Sequence, residues 1–120
     1  MVIEVKELSV AGMVEVLAEK KEINPAVALE IAQCESELRQ FNKDGSILRG
    51  RDNPADVGVF QINENWHLTD SRKLGYDIYS TKGNIEYALY LMKRDGIRHW
   101  KYSKPCWGKK VALAGDLKTN

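Results

Sequence analysis

The stretch that decides the fold occupies residues 24–38 and reads NPAVALEIAQCESEL. Asn24 is a favourable N-cap and Pro25 suits the first position of a helix, so a helix is predicted here. Positions 28, 31, 32, 35 and 38 share one face of that helix, and all of them are apolar except Glu35. Burial on such a face would raise the pKa of a carboxyl group, which is what a general acid requires. The alternative is a glutamate at the rim of the face, paired with an arginine.

Composition limits the function classes that need to be considered. The 120 residues suit one domain, and 43% hydrophobic with 29% charged residues is ordinary for a globular protein. A formal charge of +1 gives no general attraction to nucleic acid or an anionic membrane. No apolar run approaches the roughly 18 residues of a membrane span. Early acidic residues and the lack of an apolar segment in residues 1–20 argue against a signal peptide.

Apolar spacing elsewhere predicts a mainly helical chain with one irregular lobe inserted after the helix that carries Glu35. The lobe covers residues 39–57, where glycines and a proline favour loops and residues 46–48 favour a short β-hairpin. The chain is interpreted as one domain with a core over about residues 10–107 and a polar tail over 108–120. The other predicted segments are a helix from Ser9 to about Glu22, a turn into a short helix over 58–65, a helix from Thr69 to about Gly75, and a longer helix from Ser80 or Thr81 to about Gly96.

Several side chains that follow the helix carrying Glu35 suit carbohydrate chemistry. A glycosidase needs a carboxylic acid of raised pKa and often a second, ionised carboxylate, for which Asp52 and Asp56 are candidates. The amides of Gln61 and Asn63 can bind a ligand or, alternatively, tie the loop to its own backbone. Five aromatic residues can line a sugar-binding groove, with core packing as the alternative for each of them: Trp66, Tyr90, Trp100, Tyr102 and Trp107.

The two cysteines allow either one disulfide between Cys34 and Cys106 or two buried thiols. Neither they nor His67 and His99 lie at the short paired spacing of structural zinc sites. No phosphate-binding glycine loop is present. We therefore expect no metal and no cofactor.

The motifs around and after Glu35 resemble those of a known superfamily. Glu35-Ser36 on a helix, followed by GVFQIN at residues 58–63, resembles the lysozyme superfamily, in which lytic transglycosylases of the soluble type and c-type lysozymes share both elements. Asn84-Ile85 with the run at 88–91 is similar to a transglycosylase helix. The residues from Trp100 to Trp107 resemble the ending of small phage and bacterial members. The resemblance covers roughly residues 10–107.

The resemblance implies a mainly α, lysozyme-like α+β fold and an enzyme that degrades peptidoglycan. The bond cut would be the β-1,4 link between N-acetylmuramic acid and N-acetylglucosamine. Glu35 would act as catalytic acid and then as base on the sugar's own 6-hydroxyl, which gives a 1,6-anhydro product without water. The substrate's acetamido group would stabilise the positive charge. The substrate-binding residues expected on this basis are Ser36, Gln61, Asn63, Trp66, Tyr90, Trp100, Tyr102 and Ser103.

A second interpretation is a hydrolysing lysozyme, or muramidase. The run DVGVFQINENW at residues 56–66 also resembles a c-type lysozyme pattern, in which Asp56 would be the second catalytic carboxylate and Trp66 a sugar-stacking residue. Alternatively, Asp56 only holds the loop. The eight cysteines of those lysozymes are absent, and so is a Tyr-Asn-Ala-Gly element usual in transglycosylases. The residue that hydrogen-bonds Glu35 is therefore open among Tyr90, Tyr102 and Ser103.

A third interpretation is a non-catalytic module that binds cell-wall sugars through Trp66, Trp100 and Trp107. For all three, the expected partner is the glycan strand of peptidoglycan, with no nucleic acid and no membrane span, and the protein is expected to be a monomer. The expected place of action is the cell wall, reached from the periplasm, from outside the cell or by phage delivery as in a bacteriolytic endolysin.

Overall fold

The computed structural model describes residues 4–113, which form a mainly helical domain with one small antiparallel sheet, as predicted. None of its helices has the length and apolar content needed to span a membrane. Two short 3₁₀ helices cover Val5–Glu7 and Arg98–Ser103. The remaining elements are α1 (Val10–Lys20), α2 (Pro25–Ser36), β1 (Asp56–Val57), β2 (Ile62–Asn63), α3 (Glu64–Lys73), α4 (Thr81–Asp95) and α5 (Lys104–Leu113).

The predicted starts of three helices are confirmed by side-chain caps. Ser9 Oγ accepts from Gly12 N at 3.1 Å in α1, and Asn24 Oδ1 accepts from Ala26 N at 2.9 Å in α2. Ser80 caps α4 in the same way. These bonds satisfy amide groups that the first turn of a helix leaves without partners.

Helix α2 ends at Ser36, two residues before the predicted end. Glu37 and Leu38 both adopt positive φ angles, 57° and 59°, which turn the chain out of the helix. Ala28, Ile31 and Ala32 are buried on the expected face, whereas Leu38 no longer belongs to it. Glu35 therefore occupies the last turn of α2, next to the lobe.

The lobe differs from the prediction in where its regular strands lie. Residues 46–48 pair with 40–42 only through a single bridge between Phe41 and Ile47. The sheet forms instead between β1, at the end of the predicted lobe, and β2, within the stretch predicted as a turn into a helix. Asn63 caps α3, which continues through Thr69, so the predicted start at Thr69 is wrong. Gly75 has a φ of 84°, as expected of a glycine just after a helix.

The core extends beyond the predicted boundary at residue 107. Helix α5 runs to Leu113, and Val111 is only 1% exposed, so residues 108–113 are not a polar tail. Residues 114–120 lie outside the described part of the chain. A disulfide joins Cys34 of α2 to Cys106 of α5, with 6.0 Å between their Cα atoms. This bond closes a loop across most of the fold and holds α5 against α2.

Candidate active site

Buried side chains hold the turn that joins β1 to β2, residues 58–61. Ser36 Oγ donates to the Val59 carbonyl oxygen at 2.7 Å, and Gln40 Oε1 accepts from Val59 N at 2.9 Å. Ser36 is 4% exposed and its oxygen also accepts from Arg39 N. Both functions of the Ser36 hydroxyl are used to fasten the turn to the end of α2, so this hydroxyl has a structural role in the fold.

The other side of the same turn is held from α4 and from the second 3₁₀ helix. Asn84, which is fully buried, accepts from Phe60 N at 2.9 Å and donates to the carbonyl oxygens of Val57 and Ile78. Trp100 Nε1 donates to the Phe60 carbonyl oxygen at 2.9 Å. Buried backbone groups of the turn thus find partners in side chains distant in sequence.

Gly58 is required where the turn meets this network. Its φ is 76°, and a Cβ atom at this position would overlap the side-chain amides of Gln40 and Asn84. Any other residue would strain the backbone and displace both amides. The glycine of the GVFQIN motif therefore lets two buried amides reach the turn.

The turn opens onto a cleft of about 370 Å³. Glu35 reaches it from the end of α2, Asp56 from β1 and Ser103 from the second 3₁₀ helix. The structure thus brings together most of the predicted site residues. The full lining is Glu35, Asn53, Asp56, Gln61, Ile62, Asn63, Trp66, His67, Leu91, His99, Trp100, Tyr102 and Ser103.

The pKa of Glu35 is raised, chiefly because burial disfavours the charged carboxylate. The nearby charge of Asp56 raises the pKa of Glu35 further, and a hydrogen bond from Ser103 acts in the opposite direction. A carboxyl group in this environment retains its proton to higher pH than an exposed glutamate. It can therefore act as a general acid.

Ser103 is held beside Glu35 by the core. Its Oγ accepts from Trp107 Nε1 at 2.9 Å, and Trp107 is 2% exposed. The single Ser103 proton is within reach of two acceptors, the Trp100 carbonyl oxygen at 3.0 Å and the Glu35 carboxyl. Of the three candidates for the partner of Glu35, the structure places Ser103 in that position. Trp107, a predicted groove residue, instead belongs to the core.

Asp56 and Asn63 face each other across β1 and β2. Asn63 Nδ2 donates to Asp56 Oδ1 at 3.0 Å, while Asn63 Oδ1 caps α3 by accepting from the amides of Asn65 and Trp66. Burial raises the pKa of Asp56, and the Asn63 hydrogen bond partly offsets that effect. Asn63 lines the cleft, yet most of its hydrogen-bonding capacity holds the loop.

Gln61 sits at the closing position of the turn with a φ of 53°. Its Nε2 donates to the Gly58 carbonyl oxygen at 3.0 Å. Gln61 and Glu35 also border a second pocket of about 430 Å³, which contains Arg39, Arg51 and the other predicted carboxylate, Asp52. Asp52 therefore lies outside the cleft that holds Asp56.

The predicted aromatic groove is only partly formed. Trp66 and Tyr102 line the cleft and are 79% and 89% exposed, so their rings are open to a ligand. Trp100 contributes to the lining but is 4% exposed. Tyr90 does not line the cleft, because its ring stacks on Tyr87 with the centroids 5.8 Å apart.

Two further residues of the cleft, His67 and His99, stand out in the sequence only as potential metal ligands. His67 Nδ1 lies 2.8 Å from the Tyr87 hydroxyl, and His99 Nε2 lies 2.7 Å from Asp95. Burial lowers the pKa of His67, and the neighbouring His99 lowers it further. Residues 4–113 contain no cluster of three potential metal ligands. No periodicity or motif signalled that these histidines would share the cleft with Glu35.

No protein-family model, curated protein or solved structure matches this chain. A function is therefore inferred from the residues of the cleft.

Proposed function

We propose that this protein is a lysozyme-like enzyme that cleaves the β-1,4 bond between N-acetylmuramic acid and N-acetylglucosamine in peptidoglycan, by lytic transglycosylation. The observation that carries the proposal is Glu35, a carboxyl group of raised pKa in a cleft that is also lined by the exposed rings of Trp66 and Tyr102. The proposed setting is the cell wall, where the protein acts as a monomer on glycan strands.

The proposed reaction needs one residue to give and then take a proton. Protonated Glu35 gives its proton to the glycosidic oxygen as the bond from that oxygen to C1 of the muramic sugar breaks. The resulting carboxylate takes the proton of the sugar's 6-hydroxyl as O6 bonds to C1. Glu35 thereby returns to its starting form, and no water is consumed.

Ser103 suits this double use of Glu35. Its hydrogen bond favours the charged form of Glu35, whereas burial favours the neutral form. Both protonation states are therefore accessible during one turnover. Trp107 fixes the position of the Ser103 hydroxyl, so this support does not depend on substrate.

Trp66 and Tyr102 supply flat surfaces for the sugars. Exposed indole and phenol rings can stack on the apolar faces of pyranose rings while their polar atoms remain hydrated. Both rings line the cleft that contains Glu35. A bound strand would therefore contact aromatic residues close to the reacting bond.

A hydrolysing muramidase is the second candidate, and Asp56 is the observation in its favour. Asp56 lines the same cleft and is close enough to raise the pKa of Glu35. A retaining glycosidase uses a second carboxylate as nucleophile, and an inverting one uses it to activate water. The hydrolase predicts a large loss of activity in Asp56→Asn, whereas the transglycosylase predicts a modest one.

A sugar-binding module without turnover would use the exposed rings of Trp66 and Tyr102 alone. Such a module has no need for a buried carboxyl of raised pKa beside them.

The deciding experiment is the release of soluble fragments from purified sacculi by the wild type, Glu35→Gln and the control Glu19→Gln, whose side chain is exposed on α1. We expect fragment release by the wild type and the control but not by Glu35→Gln. Full activity of Glu35→Gln would exclude the proposed mechanism.

A further inference from the structure

Positive charge is concentrated in one segment of the chain. Residues 93–113, hereafter the basic segment, contain seven Lys and Arg against one Asp, a formal charge of +6 in a chain that totals +1. Residues 1–92 contain ten Lys and Arg against fifteen Asp and Glu. The molecule is therefore strongly polarised although its net charge is small.

Few of these cations are neutralised within the described part of the chain. Asp95 is shared by Arg94 at 2.7 Å, His99 at 2.7 Å and Arg98 at 3.6 Å, and Lys110 pairs with Glu30 at 3.4 Å. A single carboxylate can balance only one of the cations around it. Four lysines of the segment are exposed and form no ion pair within residues 4–113: Lys93, Lys101, Lys104 and Lys109.

The basic segment also forms one wall of the cleft. Its 3₁₀ helix contributes Tyr102 and Ser103 to the lining, and Lys101 Nζ lies 5.3 Å from the centroid of the Tyr102 ring. The stem of Lys104 lies along α5, since a Cβ atom on Gly108 would approach Lys104 Cγ at 3.2 Å. Positive charge thus continues from the edge of the cleft onto the surface of α5.

We propose that the basic segment binds anionic groups carried by the cell-wall polymer and thereby seats the cleft on the glycan strand. This inference rests on the proposed function, because the strand in the cleft is the polymer that bears those groups. These groups are the carboxylates of the peptides attached to the muramic sugars, because the strand in the cleft carries them itself. Exposed lysines attract such groups over about 10 Å at 0.1 M salt.

A membrane surface is a poorer fit for the segment. Binding to lipid would need apolar side chains that can insert beside the cations. Trp107 and Val111 of α5 are buried against the core, so neither side chain can insert into lipid beside the cations. Tyr102 is the one large exposed hydrophobic residue of the segment within the described part of the chain, and it lines the cleft.

The test measures binding without turnover. Sedimentation with purified sacculi compares Glu35→Gln protein carrying Lys101→Glu and Lys104→Glu with Glu35→Gln protein carrying Lys43→Glu and Lys82→Glu, two exposed lysines outside the segment. Both pairs change the net charge equally. We expect the first pair to weaken binding on the order of tenfold and the control pair far less. An equal loss of binding in both double-lysine variants would overturn the proposal. Binding of the Glu35→Gln protein that does not depend on salt would also overturn it, and this measurement needs no lysine variant.

The source of the anionic groups is separated by treating the sacculi. We expect amidase removal of the peptides to abolish the difference between the pairs, and a difference that disappears only on acid removal of phosphate polymers would overturn the proposal. A difference that survives both treatments would overturn the proposal. Stronger binding to vesicles containing phosphatidylglycerol than to sacculi would also overturn it. Charge-dependent binding without fragment release by the wild type would refute the proposed enzyme but not the docking surface.

Discussion

Replacement of Asn84 by alanine tests the arrangement that positions the cleft. In the folded protein Asn84 makes three hydrogen bonds to backbone groups, of Phe60, Val57 and Ile78, and is inaccessible to solvent. Its loss leaves the Phe60 amide and the Val57 carbonyl without this partner. The Ile78 carbonyl keeps a second donor, Gln40 Nε2 at 3.1 Å.

The magnitude follows from the two groups that lose their partner. A buried polar group left unpaired costs about 1–3 kcal/mol, so we expect Asn84→Ala to lower the free energy of unfolding by about 2–6 kcal/mol. Domains of this size are stable by only about 5–15 kcal/mol, so the variant should unfold at much lower denaturant concentration.

Urea unfolding followed by circular dichroism gives the free energy of unfolding, with Asn65→Ala as the matched control. Asn65 is exposed on α3, and we expect that variant to stay within about 0.5 kcal/mol of the wild type. If Asn84→Ala were as stable as Asn65→Ala, the hydrogen bonds from Asn84 would not be what holds the turn.

Three further predictions follow. Reduction of the disulfide between Cys34 and Cys106, which are separated by 72 residues, should lower the free energy of unfolding by about 4 kcal/mol in urea titrations with and without reductant; unchanged stability would show that the bond does not constrain the unfolded chain. Burial raises the pKa of Glu35 above its usual 4.5, so the wild type loses stability as pH rises from about 4.5 through the raised pKa. The stability of Glu35→Gln relative to the wild type should therefore increase over this pH range in thermal melts. A difference independent of pH would contradict the raised pKa. Trp66→Ala should raise KM for glycan roughly fivefold, about 1 kcal/mol, without lowering stability, because Trp66 is 79% exposed; an unchanged KM in initial-rate assays would exclude stacking on this ring.

Features set by neighbouring residues could be predicted from the sequence. The caps at Ser9, Asn24 and Ser80 depend on side chains two or three residues from the amides they bind. Helical spacing was enough to place Glu35 on a largely apolar face. The confirmed helix starts and the mainly helical class follow from these local patterns.

Features that depend on distant contacts could not be predicted in this way. Gln40 binds an amide 19 residues away and Asn84 one 24 residues away, and no periodicity marks such pairs. The two positive φ angles that end α2 have no local signal, because the sequence there has no glycine. Tyr90 and Tyr102 are the same type of residue, and nothing in the sequence distinguishes them as groove residues. The tertiary fold places Tyr102, and not Tyr90, in the lining of the cleft.

The most direct test of the central claim is mass spectrometry of the soluble products that the wild-type protein releases from purified peptidoglycan. We expect muropeptides that end in 1,6-anhydro-N-acetylmuramic acid, because Glu35 would direct the sugar's own 6-hydroxyl to C1. Products heavier by one water, with reducing ends, would contradict transglycosylation, support a hydrolase and make Asp56 the next residue to mutate. The absence of any soluble product would contradict the enzyme itself.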